Sequence, residues 1–133
     1  MRGAVYYITW STAKERGELK PEHRSVVREC LLHFHEKRYR LFAYVVMNDH
    51  VHVLVQPLED FKLSKILHTW KSYTAHKINI ITGRTGSLWL EESYNHIIRN
   101  EPELYQKAEY IVTNPIRRWP DVRDYKWCGW FDF

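Results

Sequence analysis

The sequence predicts a single α+β domain spanning residues 1–133, with helices packed on a central antiparallel sheet, and three observations carry that prediction. Strand-like runs of β-branched and aromatic residues alternate with longer runs of helical periodicity, in the order βαββαβ followed by a further helix. The two middle strands are separated by Asn48-Asp49, types that tolerate positive φ and suit a tight hairpin. With 44% hydrophobic and 15% aromatic residues in 133, the chain can bury one sizeable core, and no repeat, low-complexity tract or linker divides it.

Each element has its own warrant. Val5 to Trp10 is rich in β-branched and aromatic residues and makes the first strand. Pro21 opens a helix on which Val26, Val27, Cys30, Leu31 and Phe34 recur at helical spacing. Tyr39 to Met47 and Val51 to Gln56 are the second and third strands, the latter ended by Pro57. Leu63, Ile66, Leu67, Trp70, Thr74, Ile78 and Ile81 form the stripe of a second helix, which Gly83 and Gly86 break. Ser93 to Arg99 makes a short fourth strand. Asn100 caps a third helix with Glu101 and Glu103 in its first turn, and that helix should stop near Asn114 because Pro115 follows. This is the ferredoxin-like split βαβ arrangement, with a C-terminal helix that bears Tyr110. The tail from Asp121 to Phe133 carries aromatics without a clear element and is expected to pack back on the body.

Composition narrows the class. The net charge of +4 and pI near 9.1 suit a polyanionic partner. Cys30 and Cys128 lack metal-ligand spacing and are expected to be ordinary thiols in a reducing compartment. No apolar run approaches the roughly 18 residues that span a bilayer, and the N-terminus lacks a signal peptide's apolar stretch, so a cytoplasmic protein is expected.

The third strand carries the chemistry. Strand alternation sends His50 and His52 to one face, about 6–7 Å apart at the backbone, and Val51, Val53 and Val55 to the other. Two neutral imidazoles on one strand face make half of a metal site. On the third helix Tyr110 and Asn114 stand four residues apart on one face. The amide oxygen of asparagine can bind a hard cation, and a phenol becomes a useful nucleophile when its anion is stabilised. If the two faces dock, the constellation fits metal-assisted phosphoryl transfer to tyrosine.

At this point the chain resembles a known family. Tyr44 through Val55, with His50-Val51-His52 at its centre, resembles the histidine–hydrophobic–histidine (HUH) motif of the single-tyrosine transposases. The basic segment Trp70 to Asn79, the stretch from Leu88-Trp89 to Arg99, and Tyr110-Ile111-Val112-Thr113-Asn114-Pro115-Ile116-Arg117 resemble that family's basic helix, short strand and tyrosine helix, in order. The Asn-Pro ending resembles the REP-associated tyrosine transposases. The resemblance implies a metal-dependent single-stranded DNA endonuclease and strand transferase acting beside imperfect, REP-like hairpins, as a monomer or homodimer in the bacterial cytoplasm and nucleoid. It implies Tyr110 as the nucleophile that forms a 5′-phosphotyrosine, with His50, His52 and Asn114 holding Mg²⁺ or Mn²⁺. Members commonly carry aspartate where Asn95 follows Tyr94, which removes a charge near the site, and insertion-sequence relatives often use glutamine where this chain has Asn114.

Lys71, Lys77, Arg84, Arg99, Arg117 and Arg118 are the candidate phosphate track, although each alone is most simply a solvated charge. Trp70, Trp89 and Tyr94 are candidates for base stacking, with Trp70 placed by its stripe in the core. Tyr105 lies on a different helical face from Tyr110. A catalytically silent hairpin-binding protein is the alternative. An RNA-recognition domain would show aromatics and a glycine where His50 and His52 stand, and a zinc hydrolase would need a third strong ligand that no His-Glu-X-X-His or cysteine pair supplies.

Overall fold

The computed structural model describes residues 3–131, and the predicted order of elements is present in it. Strand β1 (Tyr6–Thr12) leads through a 3-10 turn (Lys14–Arg16) into α1 (Pro21–His33), and β2 (Tyr39–Val46) and β3 (His50–Pro57) form the hairpin. Then come α2 (Leu63–Thr82), β4 (Trp89–Ile97), α3 (Glu101–Val112), α4 (Asn114–Arg118) and a last strand, β5 (Cys128–Trp130). One sheet runs β4-β1-β3-β2-β5, and every pairing in it is antiparallel. β3 therefore lies between β1 and β2, which is the split βαβ topology.

Both faces of the sheet are covered. Val51, Val53 and Val55 point to the side of α1 and α2, where Ile8, Trp10, Val27, Leu31 and Trp70 pack. Aromatic contacts organise this side: Trp10 stacks on Trp70 with centroids 5.9 Å apart, and Trp70 Nε1 donates to the Tyr39 hydroxyl at 3.0 Å. Leu54 points to the other side, among Tyr7, Val45 and the α3 residues Leu104, Ala108 and Ile111. By the two-residue strand period His50 and His52 share this α3 side.

β2 is apolar almost throughout because it too is buried on both faces, and a bulge at Phe42 shifts its register against β3 between Leu41 and Ala43. The extra residue puts Phe42 and Ala43 in the α3-side cluster together, then restores alternation. The aromatic tail forms β5 on the outer edge of β2, with Gly129 opposite Tyr44. A Cβ at Gly129 would meet Tyr44 Cε1 at 2.7 Å, so only glycine allows this approach.

Three local expectations are revised. The Asn48-Asp49 turn forms, Met47 N–H donating to the His50 carbonyl at 2.8 Å, yet neither residue has positive φ. Their carbonyls instead accept from the N–H groups of Leu19 and Thr12, so the turn is held from outside. β4 begins at Trp89 rather than Ser93, because its ladder with β1 continues through a register shift to pair Thr12 with Trp89 despite the polar Glu91-Glu92. The third helix ends at Val112, and Asn114 is the first residue of α4 rather than the last of α3.

Candidate active site

The site begins at the β2–β3 turn. The His50 and His52 rings lie 4.7 Å apart, nearly perpendicular. His50 Nδ1 donates to the Asp49 carboxylate at 2.7 Å, an arrangement that puts the lone pair of a neutral ring on Nε2. His52 Nδ1 lies 2.7 Å from the Tyr7 hydroxyl, and His52 Nε2 lies 3.1 Å from Asn114 Nδ2. With the Asn114 amide N–H turned toward it, Nε2 is the acceptor and Nδ1 carries the proton. Burial, then the neighbouring His50 and Arg117, pushes the His52 pKa down to about 3. It is a neutral imidazole, the form that ligates metals.

α3 brings the other components. Asn100 caps it by accepting from Glu103 N–H at 2.9 Å, while the Glu103 carboxylate accepts from Arg99 N–H at 2.7 Å and bonds His96 Nε2 at 3.0 Å. Leu104, Ala108 and Ile111 are buried at helical spacing and seat the helix on the sheet. Tyr110 is left half exposed, its ring 6.1 Å from that of His52. Pro115 has no N–H to continue the helix; the chain breaks at Thr113, and α4 starts with Asn114 against His52. Arg117, one turn further, lays its guanidinium over the Tyr110 ring at 4.1 Å and donates to the Tyr110 carbonyl at 2.6 Å.

A divalent cation fits this donor set. The His50 and His52 rings lie 4.7 Å apart, and a half-turn of the Asn114 amide would bring Oδ1 to the place beside His52 Nε2 that Nδ2 now holds. Both imidazoles already have their Nδ1 atoms engaged, which is the usual outer arrangement around metal-bound histidine. Among the described residues no three His, Cys, Asp or Glu side chains converge to hold a metal, so the set is two imidazoles and an amide.

The remaining candidates are scattered. Arg117 belongs to the site. Arg118 faces Trp119 at 5.4 Å, and Arg99 lies in the loop before α3. Lys71 and Lys77 are on α2, across the sheet from the histidines. The Lys71 ammonium donates to the carbonyls of Leu90 and Glu91 at 2.8 and 3.0 Å, and burial lowers its pKa. Arg84 donates to the carbonyls of Glu15 and Arg16. Trp70 and Trp89 are core residues, whereas Tyr94 is exposed and contacts Tyr7 edge-on at 6.2 Å. Tyr105 turns away from the histidines toward Trp130. Asn95 pairs with Ile8 and lines the groove between α2 and β4, so it stands on the opposite sheet face from His50 and His52 and bears on no charge at the site.

Two components escaped sequence reasoning. Tyr7 is buried against His52, and burial first, then Tyr110 and Tyr94, raises the pKa of its phenol, so it stays protonated. Lys107, one turn before Tyr110, holds its Nζ 5.0 Å from the Tyr7 ring. Only the register of β1 against β3 brings Tyr7 to His52, and no short-range pattern signals it.

An antiparallel sheet carries a histidine pair on its central strand, with a tyrosine helix docked over it, and comparison with known proteins assigns this framework to a transposase family. The family model for IS200-like transposases matches residues 2–114, and the chain belongs to that family. No curated protein matches the chain. Among solved structures, a REP-associated tyrosine transposase bound to a REP hairpin shares the fold with TM-score 0.79 at 20% identity, over 96% of this chain and 77% of that one. A Deinococcus radiodurans R1 protein assigned as a transposase aligns with TM-score 0.56 at 19% identity, over 82% of this chain and 88% of that one.

Proposed function

We propose that this transposase is a metal-dependent single-stranded DNA endonuclease and strand transferase of the REP-associated type, with Tyr110 as its nucleophile. The observation that carries the reading is a convergence: the Tyr110 ring is 6.1 Å from the His52 ring, and Asn114 Nδ2 is 3.1 Å from His52 Nε2. The phenol oxygen of Tyr110 bonds to the scissile phosphorus as the bond to the 3′-oxygen breaks. A 5′-phosphotyrosine and a free 3′-hydroxyl result, and the proton Tyr110 loses balances the one the 3′-oxygen gains. Attack by a second 3′-hydroxyl on the phosphotyrosine reverses these changes and joins new strands, without ATP.

His50, His52 and Asn114 are the residues that would hold Mg²⁺ or Mn²⁺, and the bound ion supplies Lewis-acid screening of the phosphate charge. Arg117, spread over the Tyr110 ring, adds a fixed positive charge where phosphate oxygens arrive. DNA hairpins are the partner class: the REP hairpin bound by the structural neighbour and the basic charge of +4 support it.

The test is a labelled single-stranded hairpin oligonucleotide incubated with Mn²⁺ and run on a denaturing gel beside Tyr110→Phe. A slow, protease-sensitive band absent from the variant is expected. Hairpin binding with no adduct in either protein would replace the enzyme with a silent hairpin-binding protein.

A further inference from the structure

We propose that Tyr7 is a positioning residue for His52: its hydroxyl accepts the Nδ1–H bond and fixes the imidazole with the Nε2 lone pair turned toward Asn114. The inference rests on the metal-site reading above and adds a residue that the HUH and tyrosine motifs do not contain.

The geometry is specific. In the β1–β3 ladder Thr9 is the direct partner of His52 and Leu54 that of Tyr7, so Tyr7 and His52 are diagonal neighbours on one face. A diagonal separation of about 7–8 Å is bridged only by long side chains. Tyrosine spans it and ends in an oxygen 2.7 Å from Nδ1, its ring inclined 19° to the imidazole. The phenol is itself held in place. Tyr94 meets its ring edge-on from β4 at 6.2 Å, and Lys107 lies over it from α3 with Nζ at 5.0 Å. Tyr7 is only 6% exposed, so water cannot stand in for the hydroxyl.

The consequence for His52 follows from the two ring nitrogens. A neutral imidazole has one N–H and one lone pair, and the bond made by one nitrogen decides the state of the other. With Nδ1–H directed to the Tyr7 oxygen, Nε2 is left as the donor atom for a metal. Without that acceptor, the proton is free to sit on Nε2, where it blocks ligation, and the ring is free to rotate. His50 has the same arrangement made differently, with the adjacent Asp49 carboxylate as acceptor. One ligand is thus set by a neighbour in sequence, and the other by a residue 45 positions away.

The experiment compares Tyr7→Phe with wild type, using Mn²⁺ titrated by calorimetry without DNA and the ¹⁵N signals of His52 in the metal-free protein. The wild type is expected to show Nδ1 protonated and Nε2 unprotonated. Tyr7→Phe is expected to mix the tautomers and to weaken Mn²⁺ about 10–100-fold, as loss of an outer partner of a metal-bound histidine does. A wild-type His52 protonated on Nε2 would overturn the proposal with no variant needed. So would an unchanged Mn²⁺ affinity in Tyr7→Phe when His52→Ala loses binding, which leaves the metal-site reading standing. If His52→Ala binds Mn²⁺ like wild type, the metal-site reading fails and this proposal fails with it.

Discussion

The guanidinium of Arg117 sits over the ring of Tyr110, Cζ 4.1 Å from its centroid, and is anchored there by bonds to the Tyr110 carbonyl and the Thr113 hydroxyl. One side chain therefore covers the proposed nucleophile and ties α4 back to the last turn of α3, across the break that separates Tyr110 from Asn114. Its planar fork makes both bonds at once, which a lysine ammonium on a flexible stem does not reproduce. Arg117→Lys is expected to slow cleavage of the hairpin oligonucleotide, and Arg117→Ala to slow it on the order of 10²-fold, the effect of about 1 Å of misplacement. Single-turnover rates check this. Wild-type rates in Arg117→Ala would separate Arg117 from the chemistry.

Metal removal gives a second expectation. EDTA should abolish covalent adduct formation while leaving hairpin binding in place. Imidazole ligands bind Mn²⁺ better than Mg²⁺ on softness alone, so Mn²⁺ should restore activity at lower concentration. Asn114→Leu, which keeps the branched shape but has no donor atom, should weaken Mn²⁺ in the same calorimetric titration. Equal restoration by both ions would argue against two imidazole ligands.

Seating of the tyrosine helix should depend on acid pH. Bonds from Arg99 N–H and His96 hold the Glu103 pKa below its usual carboxylate value. The unfolded chain then binds more protons than the native one between the two values, and stability rises with pH across that window. The contribution is present above the ordinary glutamate pKa near 4.3 and is lost as pH falls through the native value. Glu103→Gln should flatten the acid limb of a plot of urea-unfolding free energy against pH; an unchanged limb would assign it to other carboxylates.

The last strand offers a stability test remote from the chemistry. Gly129→Ala would place a methyl 2.7 Å from Tyr44 Cε1, and Tyr44 is buried between β5 and the α1 side. Forcing that contact should destabilise by about 1–3 kcal/mol, the usual range for overpacking. Urea denaturation reads it directly.

These cases show which parts were legible in the chain and which were not. The parity of β3 was, because a two-residue period needs no partner: valines fall to one face and histidines to the other. Capping by Asn100 was equally local. What escaped was set by register or by long-range contact. Asn95 was expected near the site, yet pairing with Ile8 puts it across the sheet, and the same ladder logic brings Tyr7 to His52. The split at Thr113 turns on how Pro115 ends one helix and begins another. β5 is three residues long, too short for any periodicity, and its glycine makes sense only against Tyr44.

β3 is buried on both faces, and that has a consequence for selection. His52 is 8% exposed in an otherwise apolar strand, and burial there disfavours a charged imidazole and lowers its pKa. Selection for folding alone would favour an aliphatic residue there, with phenylalanine at position 7 so that no hydroxyl is stranded. A Tyr7→Phe, His52→Leu double variant should accordingly melt higher than the natural chain. A buried polar pair in the sheet is thus the point at which the proposed chemistry and resistance to heat pull in opposite directions.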